Sequence, residues 1–168
     1  MYIKVNLVRI DSYLLCLIGL KFLFLILMTG QTKELTILLA DDDPVDRELF
    51  IEGMAETGIQ FKVDEVSNGE ELLSHLSSVK TFPDLIILDL NMPVKDGRET
   101  LKELKSSADY RHIPVFILST SSARFDVELA CQSGANLFLV KPHGYKEIVE
   151  MLRSILTLFG KYVASCII

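Results

Sequence analysis

Positive charge is in short supply: 17 Lys and Arg stand against 23 Asp and Glu, a formal net charge of −6. Sequence-independent binding to nucleic acid needs a basic footprint, so the balance argues against it. It leaves room for a partner with a basic patch. Cysteine is scarce too. Cys16, Cys131 and Cys166 are odd in number and widely spaced, which fits neither a disulfide framework nor a zinc site. They read as reduced thiols of a cytoplasmic protein, with Cys131 packed within a helix. His75, His112 and His143 are scattered, lack a carboxylate or cysteine at ligand spacing, and read as surface residues. Internal repeats and low-complexity stretches are absent. What remains is 168 residues, 49% hydrophobic and 24% charged, a globular composition with length for one domain and some excess.

An apolar run long enough to cross a membrane is also lacking. Tyr13 to Met28 is apolar almost throughout, with Lys4 and Arg9 before it and Lys21 inside it. A spanning helix needs about 20 apolar residues. A signal peptide would suit the length, but Lys21 interrupts the run and the small-residue cleavage pattern is poor. The preferred reading starts translation at Met28, where Met-Thr-Gly-Gln-Thr-Lys-Glu-Leu forms a polar lead into a strand. Residues 1–33 are then an extension, 34–160 the domain and 161–168 a short tail. Membrane association is expected only if residues 1–33 are genuine. The apolar ending Val163 to Ile168 either packs on the domain or pairs two copies as a homodimer.

From Leu35 onward, short apolar runs alternate with amphipathic stretches. Leu35–Ala40 and Leu85–Leu88 are continuous apolar runs, expected as buried strands. Phe61–Val66, Pro114–Leu118 and Leu137–Val140 complete five. Asp43 before Pro44 marks a helix start, and Gly58 stops that helix after about Thr57. Ser67 with Glu70 reads as a capping box opening the second helix. The third follows Gly97, the fourth begins near Ser122 and ends at Gly134, and the last runs from about Tyr145 with Ile148, Leu152, Ile155 and Phe159 on one face. Five strands alternating with five helices imply an α/β fold with a parallel sheet covered on both faces.

In such sheets the site lies beyond the carboxyl ends of the strands, at the switch in strand order. Asp41, Asp42 and Asp43 follow the first strand, Asp89 the third, Ser119 and Thr120 the fourth, and Lys141 the fifth. Clustered carboxylates repel and raise one another's pKa, which a divalent cation relieves. Oxygen ligands without His or Cys favour a hard ion, Mg²⁺. Lys141 adds a point charge for a phosphoryl group, and the Ser119 hydroxyl can hydrogen-bond one of its oxygens. Asp43 reads as a helix cap and Thr120 as an ordinary loop hydroxyl.

Leu-Leu-Ala-Asp-Asp-Asp-Pro, Leu-Asp-Leu-Asn-Met-Pro with Asp96-Gly97 behind it, Ile-Leu-Ser-Thr and Val-Lys-Pro occur in that order. With these motifs the chain resembles the receiver domains of two-component response regulators, from about Glu34 to Phe159, and among them the stand-alone, chemotaxis-regulator-like receivers. The resemblance implies a flavodoxin-like (βα)5 fold with strand order 2-1-3-4-5. It implies Asp89 as phosphoacceptor, Asp41 and Asp42 as the acidic pair with Asp42 the direct Mg²⁺ ligand, and Asn91 as the residue whose carbonyl binds the metal. Ser119, where threonine is commoner, matches the hydroxyl that turns inward on phosphorylation, and Lys141 matches the phosphate-contacting lysine. Phe138 matches an aromatic switch position, although an apolar residue in an apolar run reads nearly as well as core packing. The implied partner is a histidine kinase or histidine phosphotransfer protein, with output through protein contacts. The protein is then a phosphoacceptor that assists its own modification, not a conventional enzyme.

Three other functions compete. A haloacid-dehalogenase-like phosphatase also forms an aspartyl phosphate, but wants an acid two residues after the nucleophile, where this chain has Asn91. A flavodoxin-like cofactor binder needs a phosphate-cradling loop after the first strand, where this chain has three aspartates. A pseudo-receiver would keep the fold as an interaction module without phosphorylation.

Overall fold

The computed structural model describes residues 34–162, with side chains through Ile155. The expectations about Met28, Cys16, Cys166, the Phe159 side chain and the tail from Val163 lie outside the described residues. Five strands and five helices alternate: β1 (Leu35–Ala40), α1 (Pro44–Ala55), β2 (Phe61–Val66), α2 (Gly69–Ser78), β3 (Leu85–Leu88), α3 (Gly97–Ser106), β4 (Val115–Ser119), α4 (Arg124–Gln132), β5 (Leu137–Val140) and α5 (Tyr145–Tyr162). The strands form one parallel sheet in the order β2-β1-β3-β4-β5, the expected topology. The compact unit carrying the sheet is Glu34–Arg153, and the helical residues beyond it, 154–162, fall in a second unit.

Burial follows the sequence. β3 and β4, which lie inside the sheet, are buried at every residue, because helices cover both faces of a parallel sheet. β5 lies at the sheet edge and is only half buried. The register positions the site. Ala40 of β1 pairs with Leu88 of β3, and the Asp89 N–H donates to the Ala40 carbonyl at 2.9 Å. Asp41 and Asp89 are therefore the next residues on adjacent strands, a strand spacing apart. At the other side Ser119 pairs with Val140, and the Lys141 N–H donates to the Ser119 carbonyl at 2.8 Å.

Helix caps aim the loops. Asp43 caps α1, its carboxylate accepting from the Val45 N–H at 2.8 Å, with Pro44 in the first turn. The capping box of α2 sits one residue later than expected. Asn68 Oδ1 accepts from the Glu71 N–H at 2.9 Å, and the Glu71 carboxylate accepts from the Ser67 N–H at 2.8 Å. Asparagine caps as well as serine, and Glu71 reaches one residue further back than in a standard box, to the N–H before the cap, while also accepting from the Asn68 side chain at 3.0 Å. α1 ends at Ala55, before the turn through Gly58 at φ 74. α4 begins at Arg124, not near Ser122, with no side-chain cap at Ala123.

Two surface assignments are corrected. Cys131 is exposed, not packed. α4 turns Ala130 toward the sheet, and the next residue lies about 100° round the helix. His75 is half buried, its Nε2 3.5 Å from Asp64 Oδ2, while His112 and His143 are exposed as expected. Among the described residues no helix is long and apolar enough to cross a membrane.

Candidate functional site

One carboxylate oxygen from each of Asp41, Asp42 and Asp89 lies within 4.8 Å of the others. Asp41 and Asp89 are buried, 3% and 5% exposed, whereas Asp42 faces solvent. Lys141 reaches in from the end of β5. Its Nζ donates to Asp41 Oδ2 at 2.6 Å and to Asp46 Oδ2 at 2.7 Å, and lies 3.9 Å from Asp89 Oδ1. Backbone donors hold the acids in place: the Asp43 N–H donates to Asp41 Oδ1 at 3.1 Å and the Asn91 N–H to Asp89 Oδ2 at 3.2 Å. Arg47 of α1 braces the loop, donating to the Asp41 carbonyl at 2.6 Å and to Glu65 at 2.9 Å.

Burial is the main force on the two inner acids. It lifts the pKa of Asp89 above the ordinary carboxylate value; Lys141 opposes this, and Asp41 adds to it. Asp41 is raised by the same burial, against its hydrogen bond from Lys141. The mutual repulsion expected from the sequence is therefore present but secondary to desolvation. Burial pulls Lys141 downward, but its hydrogen bonds to Asp41 and Asp46, together with the charges of Asp89 and Asp41, outweigh that and leave its pKa raised.

Asp89 Oδ1 is the buried side-chain polar atom that lacks a hydrogen-bond partner among the described residues. Such atoms are uncommon, and a bound cation is one ordinary partner for them. Three converging carboxylates, all oxygen donors, fit a hard divalent cation. The structure thus brings together Asp41, Asp42, Asp89 and Lys141. Asn91 is exposed beside them, its side chain 3.4 Å from Arg98 Nη1. Ser119 is the last residue of β4 and fully buried, its Oγ accepting from the Ser121 N–H at 3.2 Å. Thr120 is exposed. Phe138 is half buried against the core cluster that contains Ile117 and Leu88.

Asp46 escaped the sequence reading. An acid in a first helical turn looks like an ordinary response to the helix dipole, and no local pattern assigns it to a lysine 95 positions away. The loop after β3 carries two further constraints. A Cβ on Gly97 would stand 2.0 Å from the Asp89 carbonyl oxygen, so only glycine lets α3 start this close to the acid. Val94 has φ 67 and is 75% exposed, a strained state for a β-branched residue. Val94→Gly should therefore raise stability by about 1 kcal/mol, measured by urea denaturation; a fall would mean that the valine packs productively.

The sequence matches the family described as response regulator receiver domain over residues 37–153. Response regulator Rcp1 of Synechocystis sp. is 33% identical over 124 residues, covering 71% of this chain and 84% of that protein. The crystal structure of the phosphorylated cyanobacterial phytochrome response regulator RcpA is similar at TM-score 0.70 and 32% identity, over 74% of this chain and 93% of its own. The Mn(2+)-bound form of response regulator Rcp1 is similar at TM-score 0.68 and 32% identity, with coverage of 74% and 93%. With the fold, the strand-end acids and these likenesses in agreement, the chain belongs to the response regulator receiver domain family, the phosphoacceptors of two-component signalling.

Proposed function

We propose that Asp89 takes a phosphoryl group from a phosphohistidine on a histidine kinase or phosphotransfer protein, in the cytoplasm, with Mg²⁺ held by Asp41, Asp42, Asp89 and the Asn91 carbonyl. The observation that carries this reading is Asp89 Oδ1, buried without a hydrogen-bond partner and 3.9 Å from Lys141. A carboxylate oxygen of Asp89 attacks phosphorus in line; the new O–P bond forms as the P–N bond to the donor imidazole breaks. When bound, the cation supplies charge neutralisation for the phosphoryl oxygens. Lys141, anchored by Asp41 and Asp46, contributes a further positive charge beside Asp89. Slow hydrolysis of the acyl phosphate resets the protein, so the chain assists its own modification without turning over a separate substrate. The Ser119 hydroxyl then turns toward the phosphoryl group, and Phe138 moves into the space beneath β4, a population shift driven by local charge. The output is a change in protein contacts.

Asn91 where a haloacid-dehalogenase-like phosphatase needs an acid, and Asp41 to Asp43 where a flavodoxin-like cofactor binder needs a phosphate cradle, count against those alternatives. Metal titration tests the site directly. Mg²⁺ at about a hundredfold excess over its Kd should stabilise the protein by about 2.7 kcal/mol, and a chelator should reverse this. Beryllofluoride should bind only with the cation present. A protein indifferent to both reagents would instead be a pseudo-receiver.

A further inference from the structure

A second charged pair lies across the loop that follows β4. Arg98, in the first turn of α3, donates from Nε and Nη2 to Asp126 Oδ1 at 3.2 and 2.8 Å. Asp126, in the first turn of α4, accepts from the Ser121 hydroxyl at 2.5 Å through its other oxygen. Ser121 in turn donates its backbone N–H to Ser119 Oγ at 3.2 Å, and its own Oγ accepts from the Ala123 N–H at 3.3 Å. A continuous series of hydrogen bonds thus runs from an ion pair at the surface to the buried Ser119 hydroxyl. None of these links involves Asp41, Asp42, Lys141 or Asp89, although Arg98 Nη1 also donates to Asn91 Oδ1 at 3.4 Å.

We propose that Arg98 and Asp126 are positioning residues, a charge-paired latch that opposes the turn of the Ser119 hydroxyl toward the phosphoryl group and so sets how tightly the phosphorylated state is held. The proposal rests on the phosphoacceptor reading above. Its physical basis is the Ser121 N–H. When Ser119 Oγ turns away, that donor loses its acceptor, and an unpartnered backbone N–H is costly. The donor can stay paired only if residues 120 and 121 follow the hydroxyl. Ser121 is tied to Asp126, and Asp126 to Arg98, so the loop follows only when the tie yields. Its strength is thereby subtracted from the stability of the phosphorylated packing, because a ligand shifts an equilibrium only by its differential affinity for the two states. The pair is partly shielded, with side-chain exposures of 33% for Arg98 and 13% for Asp126. It is open enough to break and close enough to matter.

The test uses the full chain in saturating Mg²⁺. Arg98→Gln and Asp126→Asn should each bind beryllofluoride about three- to tenfold more tightly than the unaltered protein, the range of a modest coupling. Mg²⁺ affinity without beryllofluoride should be unchanged in Asp126→Asn, whose side chain touches none of the residues proposed to hold the cation, and this separates the latch from general loosening of the site. Raised salt screens the anion's attraction in every form of the protein, but should weaken beryllofluoride binding less in the unaltered protein than in the variants, since it also weakens the partly exposed pair. Without any ligand, amide hydrogen exchange at Ser121 should accelerate in both variants by a similar factor. Unchanged or weakened beryllofluoride binding in both variants would overturn the proposal. So would weakening in Arg98→Gln alone, which would make Arg98 a direct anion ligand. If the unaltered protein ignores beryllofluoride, the phosphoacceptor reading fails and the latch falls with it, whereas binding that both variants leave unchanged refutes the latch alone.

Discussion

Asp89→Asn should abolish phosphoryl labelling by acetyl phosphate or a histidine kinase while making the metal-free protein more stable. The loss of labelling follows from the nucleophile: an amide cannot form the acyl phosphate. Hydroxylamine-sensitive phosphate retained on the variant would refute the assignment. The gain in stability follows from burial. Asp89 Oδ1 has no hydrogen-bond partner, and Lys141 stands 3.9 Å away, beyond hydrogen-bond reach. A buried, unsatisfied charged oxygen costs about 1–3 kcal/mol or more, and asparagine removes the charge at nearly constant shape.

The pH dependence has a definite sign. Because the folded state raises the Asp89 pKa, the native protein holds this proton more strongly than the unfolded chain. Stability of the metal-free protein is then highest below the unfolded pKa and falls as pH rises through the folded one. Above that window the penalty is complete. Asp41, raised for the same reason, adds a contribution of the same sign. Urea denaturation in chelator at mildly acidic and neutral pH should show this decline in the unaltered protein and a smaller one in Asp89→Asn. Mg²⁺ should reduce the decline in the unaltered protein, since the carboxylates must be ionised to bind it.

Lys141→Met should be the most destabilising single change at the site, and a divalent cation should partly offset it. The ammonium is the cation bonded to Asp41, which is 3% exposed, and the nearest to Asp89. Removing one partner of a buried pair leaves an uncompensated charge and costs about 3–5 kcal/mol. The loss should appear in denaturation with chelator present and shrink when Mg²⁺ is added, because the ion replaces the missing positive charge. Asp41→Asn on the Lys141→Met background should recover part of the stability by removing the stranded carboxylate. If Lys141→Met unfolds at the same urea concentration as the unaltered protein, the ammonium contributes no net stability to the cluster. Phosphoryl uptake should also fall, because Lys141 carries positive charge adjacent to the accepting oxygen.

Much of the architecture was legible in one dimension. Leu35–Ala40, apolar but for Thr36, and Leu85–Leu88 read as buried strands; β3 is buried throughout and β1 from Ile37 to Ala40. Asp43-Pro44 had to open a helix. Local signals of similar strength were less decisive. Ser67 and Asn68 are both good caps, and a one-residue choice depended on which glutamate could reach back, Glu70 or Glu71. Cys131 carries no periodic signal strong enough to separate a packed from an exposed helical face. Ser119 looked like a loop residue but closes β4, because pairing with Val140 extends the strand by one position.

By itself the sequence determined the order of the strands and helices, the residue types at the strand ends, and hence the kind of chemistry available: oxygen ligands, one lysine and no histidine or thiol in the cluster. Each of these is a property of residues close together along the chain. Tertiary structure alone decided which aspartate keeps one buried carboxylate oxygen without a hydrogen-bond partner among the described residues, that Asp46 shares Lys141, and that Arg98 and Asp126 tie down the loop beside Ser119. Those facts depend on distances between side chains 28 to 95 positions apart. Such distances are set by register and helix placement, and desolvation acts only after the sheet has closed around the carboxylates.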